Sequence, residues 1–162
     1  MKGMARSSQE QKVIDRFTRE AGFEFLSNFY SSTVRFEGVL YPTVEHAYQA
    51  SKTKDPKIRE LIRKNKDPSV AKQLGQGIIF REDWQEVKLE IMRSLIKEKF
   101  ENPFLRPKLL ATEDAVLILN NKWNDRFWGV CRGSGENWLG KILMEERERI
   151  KKEVEREALQ KE

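Results

Sequence analysis

The stretch YPTVEHAYQASKTKD, residues 41–55, decides how the rest of the chain is read. Just after its proline, Pro42, it opens a helix, with Thr43 placed as the N-cap. At about 100° per residue, Glu45, Gln49 and Lys52 share one face, with Tyr48 at its edge. Val44, Ala47 and Ala50 fall largely on the other side and can pack. Two readings follow. In one, Glu45 is a first-turn carboxylate that suits the helix dipole, on an exposed polar face. In the other, a carboxylate, an amide and an ammonium stand in a row that grips a sugar and its phosphate. The dipole favours an ionised Glu45, which suits a nucleophile, a general base or a partner for a developing cation. His46, the only histidine, points about 100° away from Glu45. No Glu–His couple is expected, and His46 reads as a structural residue.

Upstream, FEFLSNFYSSTVRFEGVLYPT, residues 23–43, reads as β structure. Residues 33–36 alternate, and Glu37-Gly38 is a hairpin turn before Val39-Leu40-Tyr41. VIDRF is a short strand or turn, and residues 1–11 are polar and expected to be disordered. Downstream, DPKIRELIRKN and DPSVAKQLGQG each begin with an Asp N-cap and Pro at the first helical position. Gly75 and Gly77 end the second of these helices. In the longer helix EDWQEVKLEIMRSLIKEKFEN, the residues Trp84, Val87, Ile91 and Leu95 form one apolar stripe. A short helix in PFLRPKLLAT, a buried strand in AVLILN and a loop rich in Gly, Asn and Trp follow. The last segment is a long helix whose C-terminal part is a solvated or frayed extension. The expected architecture is α+β: one mainly helical domain over residues 12–150, a small N-terminal sheet, and a charged helical extension over residues 151–162.

The 162 residues suit one domain that buries its own core. The formal net charge of +5 favours anionic partners. Lys/Arg and Asp/Glu are interspersed, so a dedicated nucleic-acid footprint is not evident and a phosphorylated small molecule fits equally well. Nine Phe and four Trp suggest a ring-lined pocket. Cys131 is the only cysteine. That excludes an intramolecular disulfide and, with a single histidine, a zinc site of the common kind. No apolar core marks a signal peptide in MKGMARSSQEQKVIDRF, no stretch approaches a membrane span, and a cytoplasmic protein is expected.

Two further clusters carry polar chemistry. In WNDRFWGVCRG, Asp125 lies between Trp123 and Trp128, with Arg126 beside it. Indoles stack on flat heterocycles, an arginine pairs with a phosphate, and aromatic walls raise a carboxyl pKa as a general acid needs. The plainer reading is core tryptophans and a turn aspartate. Cys131 has no histidine nearby and is not expected to be a nucleophile. In GSGENWLGKILMEERE, Asn137 can cap the helix, and its N-terminus is either an anion site or a simple loop-to-helix junction.

FLSNF, YPTVEHAYQASK, DWQEVKLEIMRSLIKEKF, DRFWG and GENWLGKILMEER, in this order over residues 25–150, resemble the NADAR or YbiA-like family. The resemblance implies a compact, mainly helical α+β fold without metal or cofactor. It implies an N-glycosidase that breaks the C1′–N bond of a phosphorylated ribose. One branch of the family acts on ribosylamino-pyrimidine phosphates of early riboflavin synthesis, the other on ADP-ribosylated guanine. The family's essential glutamate falls on Glu45, and its other motif positions fall on Asn28, Trp84, Asp125, Trp128, Gly129 and Asn137. The chain departs from the family pattern at its N-terminus, around RFEGVLYPT and in the charged extension.

These positions suggest roles. Glu45 and Asp125 are the expected catalytic pair, with Glu45 ionised beside an oxocarbenium-like sugar and Asp125, or a donor near it, serving the leaving base. Trp84 and Trp128 are expected to stack on base and ribose, and Lys52 and Arg126 to hold the phosphate. Asn28, Gln49, Gly129 and Asn137 complete the expected substrate contacts. A non-catalytic ADP-ribose or nucleotide-binding module is the alternative. A third reading is nucleic-acid binding driven by the positive charge.

Overall fold

The structure is a computed structural model and describes residues 10–161. The expected disorder of residues 1–11 therefore falls, for residues 1–9, outside the described residues. The helix at the centre of the reading, α1, spans Val44–Ser51, and every residue in it is buried. Thr43 caps it by accepting a hydrogen bond from the His46 amide at 3.1 Å. Ala47, Ala50 and Ser51 have no exposed surface. Their small side chains let three further helices pack closely around α1: α2 (Pro56–Lys64), α3 (Pro68–Gln76) and α4 (Trp84–Phe100). Asp55 and Asp67 cap α2 and α3 through their side chains, each with proline in the first turn.

Among the described residues, the β content is three two-stranded pairs. β1 (Val13–Ile14) runs parallel to β4 (Val116–Leu117). β2 (Val34–Phe36) and β3 (Val39–Tyr41) form the hairpin, with Val34 opposite Tyr41. Its turn places both Glu37 and Gly38 at positive φ, 48° and 81°, as a tight two-residue hairpin needs. β5 (Asn120–Asn121) and β6 (Val130–Cys131) pair in parallel at the base of the Trp-rich loop. Only the hairpin is wholly N-terminal; the other two pairs draw strands from the second half of the chain. After α5 (Arg106–Leu110), the last helix α6 runs unbroken from Trp138 to Gln160 and packs its first half on α4, α5 and β4. Residues 151–160 remain helical and almost wholly exposed.

Three local expectations are corrected. Residues 23–32 are not β structure: Glu24–Leu26 form a 3₁₀ turn. Phe25 and Leu26, adjacent within it, are both buried. Gly75 does not end α3, which continues to Gln76, with Gly77 as C-cap. The deeply buried line of α4 runs through Trp84, Met92, Leu95, Ile96 and Phe100, with Val87 and Ile91 at its margin.

Candidate active site

A cavity of about 370 Å³ opens between α1, α3 and the Trp-rich loop, a size that suits a small ligand. The face of α1 that carries Glu45, Tyr48, Gln49 and Lys52 lines it. Asn28 and Phe29 come from the loop before β2, Lys72 and Gln76 from α3, Met92 from α4, and Trp123, Asp125 and Trp128 from the Trp-rich loop. The α1 polar face is therefore enclosed rather than exposed: Glu45 is 7% and Gln49 4% accessible.

Glu45 Oε1 accepts a 2.7 Å hydrogen bond from Gln49 Nε2. Burial pushes the Glu45 carboxyl above the ordinary glutamate range. The Gln49 bond, then Lys72 and Lys52, pull it back, and the Asp125 carboxylate pushes it up. The helix dipole argued for an ionised Glu45; burial, which helical spacing does not register, opposes it. Two buried polar atoms of the lining lack protein partners among the described residues, Asn28 Oδ1 and Gln49 Oε1.

Asp125 does two things at once. Its Oδ1 accepts from the amides of Phe127 (3.2 Å) and Trp128 (2.9 Å), which closes the loop. Its Oδ2 accepts no protein hydrogen bond among the described residues. Asn121 holds the same loop by donating to the carbonyls of Asp125 and Val130 and accepting from the Asp125 amide. Trp128 donates its indole N–H to the Tyr48 hydroxyl at 2.9 Å, and the two rings meet edge to face. Burial pushes the Tyr48 phenol up, so it keeps its proton and can donate it.

Two ammonium groups face this lining. Lys52 Nζ lies 5.3 Å from the Tyr48 ring centre and 5.4 Å from that of Phe80. Lys72 Nζ lies 4.6 Å from the Trp123 ring centre and 6.0 Å from that of Phe29. Neither forms an ion pair among the described residues. Burial lowers the Lys52 pKa, and Lys72 adds to that effect.

The structure thus brings Asn28, Glu45, Gln49, Lys52, Asp125 and Trp128 to one cavity. It places the four other expected site residues elsewhere. Trp84 is buried behind Tyr48, with ring centres 5.4 Å apart, and is not part of the cavity lining. Arg126 is exposed and bonds to Asn124 Oδ1. Gly129 is a close-approach position: a Cβ there would lie 2.2 Å from the Leu119 carbonyl oxygen. Asn137 does not cap α6 with its side chain. That carboxamide instead donates to the Leu117 carbonyl and accepts from the Leu119 amide, as a neighbouring strand would.

The anion-site reading of the α6 N-terminus falls as well. The amides of Asn137, Trp138 and Leu139 are spent on the carbonyls of Gly129, Phe127 and Trp128. His46 lies outside the cavity lining, with Nδ1 2.7 Å from the Thr43 hydroxyl and Nε2 2.6 Å from the Asn65 carbonyl oxygen. Cys131 is buried away from the cavity. Lys72 and Gln76 were missed. Their spacing of four on α3 places them on one face, but only the packing of α3 on α1 aims that face at Glu45. Among the described residues, no group of His, Cys, Asp or Glu is placed to hold a metal ion. No described helix is long and apolar enough to cross a membrane.

Comparison with known proteins places the chain in a family. The NADAR domain model matches residues 16–151. The N-glycosidase YbiA of Escherichia coli (strain K12) is 37% identical over 145 residues, which is 87% of this chain and 90% of that protein. A riboflavin biosynthesis protein of Vibrio vulnificus is 35% identical over 149 residues, 90% of this chain and 40% of that longer protein. The NMR structure of E. coli YbiA superposes with a TM-score of 0.79 at 36% identity, covering 89% of this chain and 88% of that one. By sequence and by fold, the chain belongs to the NADAR family.

Proposed function

We propose that this cavity hydrolyses the C1′–N bond of a phosphorylated ribosyl-heterocycle. The chain is an N-glycosidase, the activity that its YbiA relatives are named for. The observation that carries the reading is Glu45. A carboxylate that is only 7% accessible is expensive to bury, and this one lies in an aromatic-walled cavity beside two unpaired lysines.

Cleavage of a ribosyl C–N bond builds positive charge at C1′ and O4′. Glu45, through the Oε2 that no protein group occupies among the described residues, stabilises that charge or takes a proton from the attacking water. The electrons of the broken bond go to the base nitrogen, which needs a donor. Tyr48 supplies one: its hydroxyl already accepts from Trp128 and keeps its own proton. Asp125, the donor expected from the sequence, also lines the cavity and would take that role only as the protonated acid. Trp128 and Trp123 offer ring faces to a flat heterocycle. Lys52 and Lys72 hold the phosphate, and Lys72 takes the part expected of Arg126. Asn28 Oδ1 accepts a hydrogen bond from the substrate and so acquires its missing partner.

The substrates are a ribosylamino-pyrimidine phosphate or an ADP-ribosylated guanine. The test offers both side by side to the purified protein and separates the products by chromatography. Release of the free base from one of them is the expected result. Binding of both with no release would overturn the hydrolase reading in favour of a nucleotide-binding module.

A further inference from the structure

Gly75 is the penultimate residue of α3, at a position with no room for a side chain. The reason lies across the helix contact, on α1. A Cβ at Gly75 would fall 1.7 Å from Gln49 Oε1, 2.5 Å from Gln49 Cδ and 3.1 Å from Gln49 Cβ. The carboxamide of Gln49 fills the notch that this glycine leaves open.

Lodged there, Gln49 makes one bond with its side chain, the 2.7 Å donation from Nε2 to Glu45 Oε1. Its Oε1 is buried and has no partner among the described residues. A buried acceptor without a donor is destabilising. A glycine on α3 with no room for a Cβ and an orphan carbonyl on α1 thus meet at one amide, and what that amide does is hold Glu45.

We propose that Gly75 is a positioning residue for Glu45, acting through Gln49: the missing side chain on α3 lets the carboxamide reach over and donate to the carboxylate. This rests on the reading of Glu45 as the reacting carboxylate. The groups that face Glu45 are Gln49 from its own helix, Lys52 from the end of α1, Lys72 from α3 and Asp125 from the Trp-rich loop. Only the Gln49 bond depends on Gly75. A methyl group at position 75 displaces the far end of a flexible side chain, so the fold tolerates it while the Glu45 bond breaks.

The test is a double-mutant cycle of wild type, Gly75→Ala, Gln49→Ala and the double variant, read first by NMR titration of the Glu45 carboxyl carbon. This readout needs no substrate, so its outcome stands apart from that of the glycosidase assay. Each single variant is expected to move the Glu45 midpoint up by about one pH unit, the scale of one hydrogen bond to a charged group. The double variant should match Gln49→Ala alone. The acid limb of kcat/KM should move with the midpoint. An unchanged midpoint in Gly75→Ala, or an additive shift in the double variant, would overturn the proposal. If Gly75→Ala alone does not fold, the double variant decides. Stability equal to that of Gln49→Ala supports the notch, and unfolding of both makes Gly75 a packing residue only.

Discussion

The indole N–H of Trp128 donates to the hydroxyl of Tyr48 across 2.9 Å and 80 residues of sequence. This bond ties the Trp-rich loop to α1 and so joins the two walls of the cavity. It also sets the direction of the Tyr48 hydroxyl proton, because a phenol that accepts from an indole has its own O–H left to give.

Trp128→Phe removes the tie together with the indole's share of the stacking surface, and leaves the Tyr48 O–H in place. It leaves the Tyr48 hydroxyl without that partner and is expected to destabilise the fold by about 1–3 kcal/mol. Tyr48→Phe removes the proposed donor to the leaving base as well. Its kcat should fall on the order of a hundredfold, the effect of one donor aimed at developing charge. Thermal unfolding with steady-state kinetics checks both. Equal turnover loss in the two variants would remove Tyr48 from the chemistry.

Glu45→Gln keeps the shape of the side chain and deletes its charge. Turnover is expected to drop about a hundredfold or more, while the fold should survive, because deleting the charge removes a burial cost. In the wild type, burial raises the Glu45 pKa. Activity that needs the ionised form is therefore lost as pH falls, and the loss begins above the ordinary glutamate value. An acid limb of kcat/KM at or below that value would contradict this assignment.

Lys72→Ala and Lys52→Ala should each raise KM for the phosphorylated substrate by about tenfold, the equivalent of about 1.4 kcal/mol. They should change it little for the dephosphorylated nucleoside. Arg126→Ala should leave both unchanged, since that side chain is exposed and away from the lining. The comparison needs only initial rates on paired substrates.

Lys99 is buried on α4 and donates to the Ser27 carbonyl at 2.8 Å. Burial pushes its pKa down to about 7. The neighbouring Asn28 carbonyl accepts the Glu45 amide at 3.1 Å, so Lys99 braces the loop that carries Asn28. Lys99→Met should raise stability near neutral pH by about 1–4 kcal/mol, as replacing buried charge often does. An unfolded lysine takes its proton near pH 10.4, whereas the folded one does so only near 7. The wild type therefore loses stability relative to the variant as pH falls through that window, and the gap is full below it. Denaturation at pH 6, 8 and 10 measures it. Activity should fall in the same variant as the Ser27–Asn28 loop loosens.

Much was readable from the chain by itself, because caps and turns are local chemistry. Thr43, Asp55 and Asp67 cap their helices by bonds that span two or three residues, and Glu37-Gly38 makes the hairpin turn its type demands. The grouping of Glu45, Gln49 and Lys52 follows from helical periodicity alone. What lies across that face does not. Burial of Glu45 depends on α3 and the Trp-rich loop closing over α1, and burial then works against the dipole on its pKa. Gly75 read as a helix stop, yet it is a notch for a side chain from another helix. Asn137 read as a cap and acts as a strand partner. Arg126 stood next to Asp125 in sequence yet is exposed and outside the lining, while Lys72, 53 positions before Asp125, lines the cavity. Local bonds are determined within a few residues of chain. Solvent exclusion, and the meeting of charges from distant segments, exist only once the helices have packed.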